Sequence, residues 1–144
     1  MRDIKFRVWD TENKEMLKVQ ELDFEDTFYG GRLSIRTDQY NDYFDMEDMI
    51  LMQYIGLKDK NGKEIYEGDI LRYEGGGIYR VVFDEMMIMC PQDNIEMPSP
   101  GYYGILIGDK TKELCPLGVT QRLAKVIGNI HDNPELLGSE DKYD

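Results

Sequence analysis

Three neighbouring carboxylates, Glu64, Glu67 and Asp69, are a candidate group for acid–base chemistry in this chain. Two carboxylates suffice for glycoside hydrolysis, one acting as acid and the other as nucleophile or base. Glu67 and Asp69, at i and i+2, would share one face of a strand. The single histidine, His131, would supply a group that titrates near neutrality, and Asp132 follows it. Neighbours in a strand point to opposite faces, so His131 and Asp132 do not read as a base and its orienter. No Gly-x-Ser-x-Gly elbow marks a nucleophile. The simpler reading has Glu67 and Asp69 capping a tight corner around Gly68, with His131 structural at the end of the last strand. No catalytic residue is assigned.

Metal and phosphate chemistry fare no better. Asp59-Lys60-Asn61-Gly62 with Glu64 has the flavour of a calcium loop. That loop needs glycine at its sixth position and a bidentate glutamate at its twelfth, and here glycine comes too early among lysines. Asn61-Gly62 reads instead as a hairpin turn. Gly75-Gly76-Gly77 would cradle a phosphate only ahead of a helix, yet a strand pattern follows and the Walker lysine is missing. These glycines read as a second hairpin connection. Cys90 and Cys115, each followed by proline, are too few and too far apart for a redox pair or a four-ligand zinc site, and read as reduced, structural thiols. No cofactor and no metal is expected.

The elements that must position these residues are mostly strands. Ile4, Phe6 and Val8 alternate with Lys5, Arg7 and Trp9, the period of a half-buried strand. Asp10-Thr11-Glu12-Asn13 has turn chemistry, and Met16, Leu17 and Val19 return, which predicts a hairpin over 3–20. Gly30-Gly31 breaks any element, Leu33 and Ile35 suggest a short strand, and the acidic, aromatic run 38–48 reads as loop or one helical turn. Strands are expected at 50–55, 64–66, 70–73, 78–83, 102–107 and 124–130, with Leu114 in a further β-like segment. Pro91 and Pro98-Ser99-Pro100-Gly101 predict a long irregular loop over 91–101. Pro134 can open one helical turn, and 138–144 reads as a frayed tail. Short strands with Gly-rich turns argue for an antiparallel barrel or sandwich with little helix. The Gly68-Asp69-Ile70 step, a Gly-Asp corner entering an apolar strand, is of the kind that recurs in SH3-like barrels. No repeat or linker cuts the chain, so 1–144 reads as a single domain.

Three stretches carry a family resemblance: Ile4 to Asp10, Met52 to Ile70, and Val126-Ile127-Gly128-Asn129-Ile130-His131-Asp132-Asn133-Pro134-Glu135-Leu136. Together they resemble the YopX family of phage and prophage proteins. The resemblance implies an SH3-like barrel with an elaborated N-terminal β-hairpin region, and brings no catalytic chemistry with it.

Composition bounds the partners. The 144 residues carry 29 acids against 17 bases, a net charge of −12. Such a surface gains nothing from the counterion release that drives nucleic-acid affinity, so nucleic acid is not expected as a partner. No Lys or Arg occurs between Arg36 and Lys58 or between Arg80 and Lys110. Those stretches read as a solvated acidic face, or more sharply as a docking face for a basic partner. No apolar run approaches the roughly 20 residues of a membrane helix. With no signal-peptide pattern at Met1-Arg2-Asp3-Ile4-Lys5, the expected compartment is the cytoplasm, that of the host for a phage-encoded chain. Ten tyrosines and nine methionines exceed what one small barrel needs inside. Tyr40, Tyr43, Met86, Met87, Met89, Tyr102 and Tyr103 are therefore the candidate interaction surface, since aromatic and Met side chains give large contact area at low entropic cost. Met86 to Met89 and Tyr102 to Ile107 point to self-association, with another phage or host protein as a further partner. The expected function is that of a noncatalytic accessory protein. The alternatives are a small enzyme using Glu64 to Asp69 with His131, and a nucleic-acid-binding barrel.

Overall fold

The computed structural model describes residues 3–26, 32–40, 43–45, 48–118 and 120–138. The expected Gly30-Gly31 break and, apart from Gly138, the expected tail lie outside the described residues. Among these residues the chain forms strands β1 Phe6–Asp10, β2 Glu15–Asp26, β3 Arg32–Thr37, β4 Tyr43–Asp45, β5 Met49–Lys58, β6 Glu64–Tyr66, β7 Asp69–Tyr73, β8 Ile78–Met89, β9 Glu96–Leu106, β10 Leu114–Cys115 and β11 Ala124–Asn129. The helical elements with described bounds are α1, Thr120–Leu123, and a 3-10 turn at Pro134–Leu137. The protein is mainly β, built of two antiparallel sheets.

The chain divides into two compact units between Gly56 and Leu57. That boundary falls inside β5, where no Pro- or Gly-rich linker announces it. In the first unit the strand order is β4-β3-β2-β1-β5, and β6 hydrogen-bonds to β5 in turn. β1 is an inner strand: Val8 pairs with Leu17 of β2 on one side and with Leu51 of β5 on the other. The predicted hairpin over 3–20 is this β1–β2 pair, with β2 running on to Asp26. Its turn is held by Asp10, whose carboxylate accepts the Glu12 and Asn13 N–H groups and the Asn13 amide. Val8, Leu17, Ile35 and Met49 form the core of this unit, with Val19, Leu22, Tyr40, Phe44 and Leu51 packed around it.

In the second unit the order is β10-β9-β8-β7-β11. β7 is an inner strand, paired with β8 on one edge and β11 on the other, and its Asp69, Ile70 and Leu71 are buried. Ile65, Val81, Ile105, Leu117, Ala124 and Leu137 are the other buried apolar side chains. Each sheet has two distinct ends, so strand pairing closes no barrel among the described residues.

Two readings of the sequence need correction. Residues 38–48 hold the short strand β4, paired with β3 from Ser34↔Asp45 to Arg36↔Tyr43. Residues 96–101 are strand, not loop, paired with β8 from Met89↔Glu96 to Asp84↔Gly101. Proline is tolerated in a strand where its nitrogen faces away from the ladder, and both Pro98 and Pro100 stand at such positions. The irregular part shrinks to the turn between Met89 and Glu96, closed by Cys90 N–H to the Ile95 carbonyl at 3.0 Å.

Candidate functional site

The Asp59–Lys63 turn is organised by one buried carboxylate. Asp59 Oδ1 accepts the Asn61 and Lys63 N–H groups at 2.8 and 2.9 Å, and Oδ2 accepts the Val126 N–H of β11 at 2.9 Å. Burial pushes the Asp59 carboxyl up. The three backbone donors, with Lys63 nearby, outweigh that and hold it below the usual aspartate range. Asn61 and Gly62 complete the turn, Gly62 at φ +83°. The sequence offered Asp59 only as part of a calcium-like turn; its bond to Val126, 67 positions away, has no local signal.

At the next corner Gly68 has φ 84° and donates to the Val81 carbonyl at 2.9 Å. The Asp69 side chain is buried, and its Oδ2 accepts the Tyr66 N–H at 2.8 Å. Ile130 N–H donates to the Gly68 carbonyl, which brings the segment of His131 alongside Glu67-Gly68-Asp69. That segment is itself a side-chain-built turn. Asn129 Oδ1 accepts the His131 and Asp132 N–H groups, and Asn133 Oδ1 accepts the Asn129 N–H. A Cβ on Gly128 would stand 2.4 Å from Asn133 Oδ1, so only glycine fits beneath that amide.

Gly75, Gly76 and Gly77 connect β7 to β8, with Gly76 at φ 107° and Gly77 at φ 87°. Beside them lies a pocket of about 250 Å³ walled by Tyr73, Gly75, Tyr79, Cys115, Leu117 and Leu123. Tyr73 and Tyr79 meet edge to face, their ring centroids 5.1 Å apart. The volume is below the roughly 300–1,000 Å³ of small-molecule sites and suits an apolar side chain better than a cofactor. Among the described residues no group of three or more His, Cys, Asp or Glu is placed to hold a metal ion. Cys90 and Cys115 are free thiols.

Among the described residues, six of the ten exposed large hydrophobic side chains lie on the outer half of the β8–β9 hairpin. β7 pairs with β8 only as far as Arg80, and β10 pairs with β9 only at Gly104 and Ile105. Beyond Val82 and Tyr103 the two strands therefore continue as a two-stranded arm. Phe83, Met87 and Met89 on this arm are 58%, 56% and 54% exposed, and Ile88, Ile95 and Met97 are exposed as well. The Ile107 N–H to Ile78 carbonyl bond at one end and the Cys90 to Ile95 bond at the other fix the ladder's parity. Even-numbered residues of β8 bond to β9, and odd-numbered ones turn their N–H and C=O groups outward. Phe83, Glu85, Met87 and Met89 share one face with Pro98, Pro100 and Tyr102. Met86 and Ile88 share the other with Met97 and Tyr103. Phe83 and Tyr102 pack edge to face at 5.2 Å, and Tyr103 donates its hydroxyl to the Ser99 carbonyl at 2.8 Å.

Five of the seven candidate surface residues thus lie on one hairpin: Met87 and Met89 exposed, and Met86, Tyr102 and Tyr103 half-buried. Tyr40 belongs elsewhere. It packs against Phe44 beside the first unit's core and donates its hydroxyl to Glu15. Tyr43 is in β4, and its side chain lies outside what is described. Phe83 and Met97 were missed, although their spacing to Met87 and Tyr103 is that of strand faces.

Residues 5–138 match the family model described as YopX protein. The crystal structure of protein EF1440 from Enterococcus faecalis is similar to this chain at a TM-score of 0.64 and 28% identity, covering 95% of this chain and 99% of that one. The crystal structure of protein YopX from Bacillus subtilis is similar at a TM-score of 0.50 and 18% identity, covering 96% and 98%, a likeness of fold alone. No curated protein matches the chain. The family match takes in both compact units, from just before β1 to the last described residue, and the resemblance of the three stretches is borne out over nearly the whole length: the chain belongs to the YopX family.

Proposed function

We propose that this protein is a noncatalytic phage or prophage accessory protein of the cytoplasm that works by protein–protein contact, including contact with itself. The observation that carries this reading is the β8–β9 arm, with Phe83, Met87 and Met89 exposed on one face and Ile88 and Met97 on the other. A two-stranded hairpin is marginal in water, and apolar side chains on both of its faces gain most from being covered. The second unit, with its Gly68 corner, is where an SH3-like arrangement belongs, and the pocket beside Tyr73 and Tyr79 would seat a partner's apolar side chain. Sedimentation velocity at micromolar concentration over a range of salt tests the reading. We expect species heavier than the 16.9 kDa chain. A monomer under all conditions would sink it.

One observation favours a second reading. The Ile130–Gly68 hydrogen bond brings the backbone of the His131 segment alongside Glu67-Gly68-Asp69, on whose carboxylates an enzyme here would be built. Against it, the Asp69 carboxylate is buried and accepts the Tyr66 N–H, which leaves it poorly disposed to reach a substrate. A nucleic-acid-binding role is opposed by the net charge of −12.

A further inference from the structure

We infer that the outer edge of β8, from Phe83 to Met89, pairs with the same edge of a second copy, antiparallel about a two-fold axis at Met86. This rests on the self-association proposed above and specifies its geometry. The arm has two edges of unlike chemistry. Along β9 the outward positions are the even-numbered ones, and two of them are Pro98 and Pro100, which have no N–H to offer. A strand approaching β9 would find two consecutive outward donors missing. Along β8 the outward positions are Phe83, Glu85, Met87 and Met89, all with backbone N–H groups. Among the described residues no strand pairs with them on this side. The Glu85 N–H donates to the neighbouring Asp84 carboxylate at 2.7 Å, a local bond that an incoming carbonyl would replace.

The occupant follows from the residues of the edge itself. Outward groups are odd-numbered, so two copies pair odd with odd, and the two-fold axis falls on a single residue. An axis at Asp84 or Glu85 sets that acid opposite its own copy, and like charges directly opposite are destabilising. An axis at Met86 sets Phe83 opposite Met89, Asp84 opposite Ile88, and Glu85 opposite Met87. No acid then meets an acid, and all seven residues from Phe83 to Met89 are paired. Moving the axis to Met87 also separates the acids but leaves Phe83 without a strand partner. Because the contact is made edge to edge by the backbone, Asp84 and Glu85 keep their carboxylates in water and the net charge of −12 is not concentrated in a dry interface.

Pairing converts two marginal ribbons into one sheet in the order β9-β8-β8-β9. Three or more strands with apolar faces are what a free-standing sheet needs. Its outer edges are the proline-bearing edges of β9, so assembly stops at two arms and does not run on into a fibre.

Cross-linking tests the geometry. In a Cys90→Ser, Cys115→Ser background, Met86→Cys places two thiols at a non-hydrogen-bonded pair across the axis. Cα atoms there stand about 4.5 Å apart, within disulfide reach. Diamide should convert this variant to a covalent dimer, while Ser99→Cys on β9, one strand further out in each copy and so three strand spacings from its mate, should stay uncross-linked. As a second variant, Met87→Pro removes one outward donor without touching the bonds between β8 and β9. By sedimentation equilibrium it should weaken dimerisation at least about tenfold, because two symmetric edge bonds are lost at once. A protein that sediments as a monomer overturns both this inference and the proposed function. A dimer that cross-links through Ser99→Cys, or through neither cysteine, leaves self-association standing and overturns the β8 edge.

Discussion

Asp59 Oδ2 accepts the Val126 N–H at 2.9 Å across 67 positions of sequence. The same carboxylate closes the Asp59–Lys63 turn through its other oxygen. One side chain therefore makes the hairpin and fastens it to β11, and three backbone donors depend on it.

Asp59→Asn should test that dependence. The amide replaces one acceptor oxygen with a donor that faces a backbone N–H, leaving a buried donor unmet at a cost of about 1–3 kcal/mol in urea unfolding at neutral pH. The pH dependence has a definite sign. A folded-state value held below the ordinary 3.8 contributes stability that is present above that value and lost as pH falls through the folded one. The variant should show a shallower loss of stability on acidification than the parent. Asp10 is held down in the same direction: burial raises it, while the bonds from Asn13 and Glu12 prevail. An acid limb unchanged by Asp59→Asn would mean that folding does not hold this carboxyl below its ordinary range.

Gly128 and Asn133 should prove coupled. Gly128→Ala sets a Cβ 2.4 Å from Asn133 Oδ1 and 2.7 Å from its Cγ, so the amide must leave the Asn129 N–H it accepts. We expect a loss of about 1–3 kcal/mol from this overpacking. In the Asn133→Ala background most of that loss should vanish, with a coupling of at least about 0.5 kcal/mol in a double-mutant cycle. Additive effects would show that the turn tolerates a displaced amide.

What was legible in the sequence follows from the range of the interactions involved. β1 announces itself because Phe6 and Val8 alternate with Lys5, Arg7 and Trp9, and the Asp10 turn because its partners Glu12 and Asn13 are two and three residues away. The Asp59 hub has one partner in β11, and nothing local records it. The β9 prolines misled for a related reason: Pro98 and Pro100 break strands when their nitrogens face a ladder, and only the register with β8 shows that they face outward. The division at Gly56 is invisible because β5 runs through it. Met86, Met87 and Met89 could be counted as surplus to a core from composition. That they share one arm with Tyr102 and Tyr103 is a property of the pairing.

Gly68→Val should be costly for backbone reasons. At φ 84° a β-branched residue is strained by about 1–3 kcal/mol, and the bond from the Gly68 N–H to the Val81 carbonyl holds the corner in place. Thermal unfolding of Gly68→Val equal to that of the parent would remove the tight corner from the account of this hairpin.

Double-stranded DNA should bind weakly and without sequence preference. Lys58, Lys60 and Lys63 lie close together around the Asp59 turn, but Lys60 is already paired with Glu74 at 2.8 Å, and the chain as a whole carries −12. Fluorescence anisotropy at physiological salt should find no sub-micromolar affinity. Finding it would revive the nucleic-acid reading.

The arm should be separable from the fold. Val81 and Ile105 are buried where β8 and β9 lie among their neighbours, whereas of residues 84–101 none is buried. Asp84 and Gly101 form a hydrogen-bonded pair by the parity of the ladder, the geometry a two-residue type I′ turn requires on either side. Replacing residues 85–100 with Asn-Gly should therefore close the hairpin without disturbing the register below it, and it spares the Phe83–Tyr102 contact. The shortened protein should melt within a few degrees of the parent and sediment as a monomer. A collapse in melting temperature would show that the arm supports the fold. A retained oligomer with an unchanged melt would place the self-associating surface elsewhere, and the exposed methionines would lose the role assigned to them.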